Sequence, residues 1–168
     1  PSEQQILVYY PASDGAGFPA SAIDRLAVAR DVSNVDALYI DSDIFVTDDG
    51  HIVRFVDGRA EGWETDQLPD SLLREQPHYS LLASASDKRT GLIYAYDKPN
   101  ARIVAIDKAK GTYVEQYRLA GKAPGWEDLR GMYVVLSGTD TPATLVWANN
   151  DGLYSSILEA VPDAAGAS

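Results

Sequence analysis

"DSDIFVTDDGHIVRFVDG", residues 41–58, carries five aspartates in eighteen residues. It reads either as a cation-binding loop or as two strands punctuated by turns. A calcium loop of the EF-hand kind needs acidic residues at alternating positions, then glycine, then a closing glutamate. Asp41 and Asp43 alternate, but Ile44, Phe45 and Val46 interrupt the set, and no glutamate follows at the required place. The strand reading uses the whole stretch. Ile44 to Thr47 and His51 to Val56 are β-prone runs, each followed by an Asp-Gly pair, Asp49-Gly50 and Asp57-Gly58. Asp-Gly between two such runs signals a hairpin, because a tight turn demands positive φ angles that glycine adopts without steric cost.

The same grammar recurs downstream. In "GLIYAYDKPNARIVAIDKAKGTYVEQYRL", residues 91–119, strands at 92–96, 102–106 and 112–119 alternate with turns at 97–100 and 107–111. "ATLVWANNDGLYSSILEAV", residues 143–161, is a third copy, with a hairpin turn at "NNDG". Each copy follows a further apolar run: "DALYID" (36–41), "YSLLASAS" (79–86) and "GMYVVLSG" (131–138). Equivalent positions Ile44, Ile93 and Val146 stand 49 and 53 residues apart. Such a spacing, with about four strands per unit, is the signature of a β-propeller blade. A four-stranded sheet cannot cover both its faces, so neighbouring blades cover each other.

The middle copy resembles the NHL-type repeat of β-propellers, through Gly91, Ile93, Tyr94, Asp97, Asn100, Arg102, Ile103, Asp107 and Gly111. Residues 43–58 are similar to a shortened copy, with Asp48, Ile52, Arg54, Phe55 and Gly58 in the matching places. The third copy lacks the Arg and the closing Asp-Gly, as a degenerate terminal blade would. The chain also resembles the C-terminal propeller-like part of larger bacterial proteins. The resemblance implies an all-β fold: a β-propeller segment of about three four-stranded blades with short helical turns between them. It implies no single function, since such propellers serve many roles.

The expected organisation is an N-terminal strand and loop (1–34), blades at 35–67, 68–121 and 122–161, and a tail (162–168). The connectors at 68–77 and 122–131 suit short interblade turns, the first with Asp70 as a helix cap, the second around Trp126. Residues 21–31 read two ways. Ser21 caps a helix with Asp24 in its first turn, or Leu26, Val28 and Val32 alternate as in a strand. The strand at 4–12 has no blade of its own and is expected to complete the third, which would remove an open edge. Closed single-chain propellers usually have at least four blades. The chain, beginning at Pro1 with Met132 its sole methionine, therefore reads as a piece of a longer protein. Either upstream blades or a second copy in a homodimer would cover the apolar faces of the end blades.

Composition bounds the function. The 168-residue chain is 45% hydrophobic and 23% charged, with a net charge of −11 and a pI near 4.4. That charge argues against nucleic acid bound through a basic face and against direct contact with an anionic membrane. The absence of cysteine excludes disulfides, zinc–thiolate sites, iron–sulfur clusters and a cysteine nucleophile. No apolar run approaches the roughly 18 residues of a membrane helix. The compartment stays open.

No residue stands out as catalytic, cofactor-binding or metal-ligating. His51 and His78 share no ligand spacing. No GxSxG elbow is present. The loop at 12–21 lacks the Lys-Ser/Thr ending of a phosphate loop. Trp147 reads as core, and Trp63 and Trp126 as packing between blades. The expectation is a non-enzymatic scaffold or recognition module binding a protein or small molecule. One alternative is half of a catalytic propeller, a calcium-dependent hydrolase in which several of Asp41, Asp43, Asp49, Asp97 and Asp151 meet around one ion. Another is a carbohydrate-binding module using Trp63 and Trp126.

Overall fold

The computed structural model describes residues 7–8, 15, 17–18, 24–25, 32, 34–61, 75–85, 91–119, 125–136 and 142–162. Nearly all of their regular structure is β. The helical structure among them is one 3-10 turn, Trp126–Asp128. Strands β1 (Leu7–Val8) and β2 (Asp24–Arg25) pair with each other. The described part of the 4–12 run therefore does not complete the third unit. Within the ambiguous 21–31 segment, Asp24–Arg25 is strand. Trp63, Asp70, the rest of the connector before Glu75 and most of the 12–21 loop lie outside the described residues.

A four-stranded antiparallel meander follows: β3 (Val35–Asp41), β4 (Asp43–Asp48), β5 (His51–Val56) and β6 (Arg59–Ala60). Both Asp-Gly pairs form two-residue turns. Asp48 stands opposite His51 and Val56 opposite Arg59, and Asp49, Gly50, Asp57 and Gly58 all have positive φ. Positive φ at both central residues defines the turn that matches the twist of a hairpin. The opening stretch is thus strands and turns. A single residue, Ser42 at φ 59°, turns β3 into β4.

Strands β7 (Tyr79–Ala83), β8 (Leu92–Asp97), β9 (Arg102–Asp107) and β10 (Tyr113–Leu119) form the second meander. The first strand of each meander carries a bulge at the same place, between Val35 and Ala37 and between Tyr79 and Leu81. The two meanders therefore share strand order and bulge position. Every apolar residue from Ile93 to Tyr96 and from Ile103 to Ile106 is fully buried. Ile93, Ala95, Val104 and Ile106 pack on Phe45 and Ile52 of the first sheet, while Tyr94, Tyr96, Ile103 and Ala105 fill a second core on the other face.

The third unit departs from this plan. Strands β11 (Gly131–Val135), β12 (Thr144–Ala148) and β13 (Leu153–Ala160) form a meander whose last strand also pairs with β10, Leu119 opposite Leu158. The outcome is one seven-stranded sheet in the order β11-β12-β13-β10-β9-β8-β7. A parallel bridge between Ala85 and Val134 nearly closes it like a barrel. Blades of four strands repeated three times are therefore not what the sheets display.

The facing confirms the difference. Three residues before the final strand residue ahead of the hairpin turn stand Phe45, Tyr94 and Leu145. Phe45 points onward to the second unit and Tyr94 onward to the third. Leu145 points back, into the same core as Tyr94. A continuous curled sheet keeps one face inside, so hydrogen bonding β13 to β10 obliges the third unit to turn its buried face inward. The far face of the first sheet also holds buried residues. Val46, Val53 and Phe55 are buried with Val32.

Candidate functional site

The densest polar constellation lies at the β8–β9 turn. Lys98-Pro99-Asn100-Ala101 forms the loop, with proline setting φ at its second position and the Ala101 N–H returning to the Lys98 carbonyl at 3.2 Å. This places Asp97 directly opposite Arg102. The Asp97 carboxylate accepts from Arg102 Nε at 2.8 Å, from Asn100 Nδ2 at 2.9 Å and from the His78 N–H at 3.2 Å. Arg102 Nη1 donates to Gln116 Oε1 at 2.9 Å. Asn100 also clamps Glu75, accepting from its N–H and donating to its carbonyl. Asp97, Arg102 and Gln116 are 0% exposed and Asn100 4%. Burying a charge this deeply is tolerated only when it is paired and hydrogen-bonded. Asp97, Asn100 and Arg102 are thus bound to one another and to the chain entering β7. Beside them, burial, and then the Asp97 charge, push the Tyr79 hydroxyl well above its usual pKa, with Arg102 opposing.

A second, half-exposed constellation lies at the opposite end of the contact between the two sheets. Arg54 Nε and Nη2 both reach Asp43 Oδ2, at 2.9 and 2.7 Å, and Nη1 donates to the Ala109 carbonyl at 3.1 Å. Lys108 pairs with Asp41 and lies over the Tyr39 ring at 5.7 Å. The β9–β10 turn is held rigid for this by Asp107 Oδ1, which accepts from the N–H groups of Ala109 and Lys110, and by Gly111 at φ 76°. Near the Asp49-Gly50 turn, His78 Nε2 meets Asp36 Oδ2 at 3.1 Å, and the Tyr79 N–H donates to the Gly50 carbonyl. His51 is exposed on the strand below.

The aspartates of the catalytic alternative are therefore dispersed. Asp41 and Asp43 share one end but face Lys108 and Arg54. Asp49 and Asp151 sit in separate hairpin turns, and Asp97 is sealed in the core. Among the described residues, no group of three or more His, Asp or Glu side chains is arranged to hold a metal ion. In the 149–152 turn, Asn149 Oδ1 accepts from the N–H groups of Asp151 and Gly152.

Trp126 is engaged rather than presented. Its indole N–H donates to the Ala101 carbonyl at 3.0 Å and its own carbonyl accepts from the Tyr96 hydroxyl at 2.5 Å. It packs edge-on against Tyr96 and Trp147, and Trp147 stacks on Tyr154. Trp147 is core, at 2% exposure. Sequence reasoning took Asn100 and Arg102 as markers of fold alone, and Asp97 as such a marker or, in the catalytic alternative, a cation ligand. It missed Gln116, Lys108 and Glu75, whose partners lie far along the chain.

No protein-family model matches the chain, and no curated protein matches it by sequence. Its fold does have neighbours. Glutaminyl cyclase of Myxococcus xanthus is similar over 96% of this chain and 67% of its own, at 17% identity and a TM-score of 0.52. PorZ, a bacterial surface component of the type-IX secretion system of Porphyromonas gingivalis, is similar over 97% of this chain and 20% of its own, at 17% identity and a TM-score of 0.48. At such identity the first likeness speaks to fold: this is a β-propeller-like fold.

Proposed function

We propose that the chain is a non-enzymatic scaffold or recognition module of propeller-like design, binding a protein or small molecule as part of a larger bacterial protein. In this reading the units at 35–67 and 68–121 are NHL-type blades, and 122–161 is a degenerate terminal blade whose sheet has curled onto its neighbour. What carries the reading is where the acidic groups are used. Asp36 and Asp41 face His78 and Lys108 of the second unit, and Asp43 and Asp97 face arginines of the adjacent strand in their own sheets, so all four are engaged in holding the fold. A hydrolytic cation centre needs such carboxylates convergent and unpaired.

The experiment is a glutaminyl cyclase assay and a general esterase assay on the intact chain, each with calcium and with EDTA. The expected result is no turnover above buffer and one melting temperature in both conditions. A cation bound at a hundred times its dissociation constant would stabilise the fold by about 2.7 kcal/mol, which a melt resolves easily. Calcium-dependent turnover, or a calcium-dependent rise of several degrees, overturns the scaffold reading.

A further inference from the structure

Aspartate followed by glycine carries a chemistry of its own. The glycine amide nitrogen, unshielded by any Cβ, attacks the carboxyl carbon of the aspartate side chain. A C–N bond forms, the carboxyl OH and the amide hydrogen leave as water, and a succinimide ring closes. Water then opens the ring. Opening at the side-chain carbonyl restores aspartate. Opening at the main-chain carbonyl leaves the chain running through the side chain, as isoaspartate of unchanged mass. No oxidant, metal or enzyme is required. The ring closes only when the aspartate leaves the dihedral angles that its turn imposes, so the rate follows how readily the turn opens.

The chain holds four such pairs: Asp14-Gly15, Asp49-Gly50, Asp57-Gly58 and Asp151-Gly152. Asp14 lies outside the described residues. The other three pairs sit in hairpin turns that are held unequally. Asp49-Gly50 joins two six-residue strands in the interior of the first sheet. The Asp49 N–H donates to the Asn34 carbonyl at 3.1 Å, and the Gly50 carbonyl accepts from the Tyr79 N–H at 2.9 Å. Gly50 is buried against the His78 ring. In the 149–152 turn, Asn149 holds Gly152 by both its peptide groups. The Gly152 N–H donates to Asn149 Oδ1 at 3.1 Å, and the Gly152 carbonyl accepts from the Asn149 N–H at 3.1 Å. The attacking nitrogen is thus occupied. Asp57-Gly58 has neither hold. Asp57 is exposed, at φ 47°. Among the described residues, nothing outside its own hairpin bonds Asp57 or Gly58. The strand that follows, β6, is two residues long and stands at the end of the sheet. Few bonds must break for this turn to open.

We propose that Asp57 is a site of spontaneous isoaspartate formation, and that the fold shields Asp49 and Asp151 from the same reaction. Isoaspartate adds a carbon to the main chain, so the tight turn no longer sets Val56 opposite Arg59 and Phe55 opposite Ala60. Ala60 packs against the buried cluster of Val46, Val53 and Phe55. Conversion of Asp57 therefore frees β6 and uncovers part of that cluster.

The test incubates the intact chain for weeks well below its melting temperature, natively and in urea, and then maps its peptides by liquid chromatography and mass spectrometry. Isoaspartyl peptides separate from aspartyl peptides of equal mass, and electron-transfer fragmentation locates the linkage. In urea only local sequence acts, and the three sites should convert within about threefold of one another. In the folded chain Asp57 should convert at least about tenfold faster than Asp49 and Asp151. Asn149→Ala, verified as folded by circular dichroism, should raise conversion at Asp151 by at least about threefold and leave Asp57 unchanged. Native conversion of Asp49 or Asp151 as fast as that of Asp57 overturns the proposal. So does an Asp57 that stays intact natively while converting in urea, or the same unequal ranking in urea as in the folded chain. A folded Asn149→Ala chain with no gain at Asp151 removes the proposed shield and overturns it too.

Discussion

Two aspartate–arginine pairs sit near opposite ends of the contact between the first two sheets, and they do different work. Asp97–Arg102 is directly cross-strand, wholly buried and tied to Asn100, Gln116 and the His78 N–H. Asp43–Arg54 is partly wet, its side chains 22% and 16% exposed, with Glu61 3.6 Å away on the surface side. The first pair gains strongly from Coulomb attraction but has lost its hydration, so its net worth is small and its half-removal expensive. The second keeps some water, and its loss leaves no stranded charge. Identical chemistry thus gives a lock in one place and a fastener in the other, and burial alone decides which.

The sharpest way to break this comparison is Arg102→Leu. It leaves Asp97 buried without its cation, and should cost about 3–5 kcal/mol by urea denaturation. A loss below 1 kcal/mol would mean that water or a neighbouring donor replaces the guanidinium, and that burial is not what separates the pairs. Next comes Gly50→Ala, at the seam between the sheets. Gly50 has φ 76°, and an added Cβ would lie 3.1 Å from the His78 Cα and run into its ring. Strain and crowding together should cost about 1–3 kcal/mol, read in the same assay. Arg54→Ala should cost about 1 kcal/mol or less. The finest test is a double-mutant cycle on Asp43 and Arg54 at low and high ionic strength. Their coupling should be about 0.5 kcal/mol at low salt and shrink in 1 M salt. A coupling insensitive to salt would place the exposed pair in the same class as the buried one.

Local chemistry was readable in the sequence where the interaction is local. Asp49-Gly50 and Asp57-Gly58 demand positive φ within two residues of each other, and the turns form there. The same holds for the Asp107–Gly111 turn, whose aspartate bonds the N–H groups two and three residues on. Matching by motif went astray where a loop length changed. Arg54 was aligned with Arg102 by the repeat pattern. A four-residue loop puts Arg102 opposite Asp97, while a two-residue loop puts His51 opposite Asp48 and carries Arg54 on to face Phe45. Arg54 therefore finds Asp43 instead. The facing of the third unit was not readable either. Its strands alternate like the others, and alternation says which residues share a face, never which neighbour that face meets. That choice was made by β13 reaching β10, a contact between segments far apart in the chain.

That contact also sets a timetable for synthesis. The second meander has all four strands as soon as Leu119 leaves the ribosome. The face made by Tyr94, Tyr96, Ile103 and Tyr117 is then still without the strands that cover it. It stays uncovered until Leu145, Trp147 and Leu158 emerge and β13 can dock. Nascent chains exposing large apolar surfaces are prone to aggregate. Translation of the final strands is therefore the interval in which this protein most needs a chaperone.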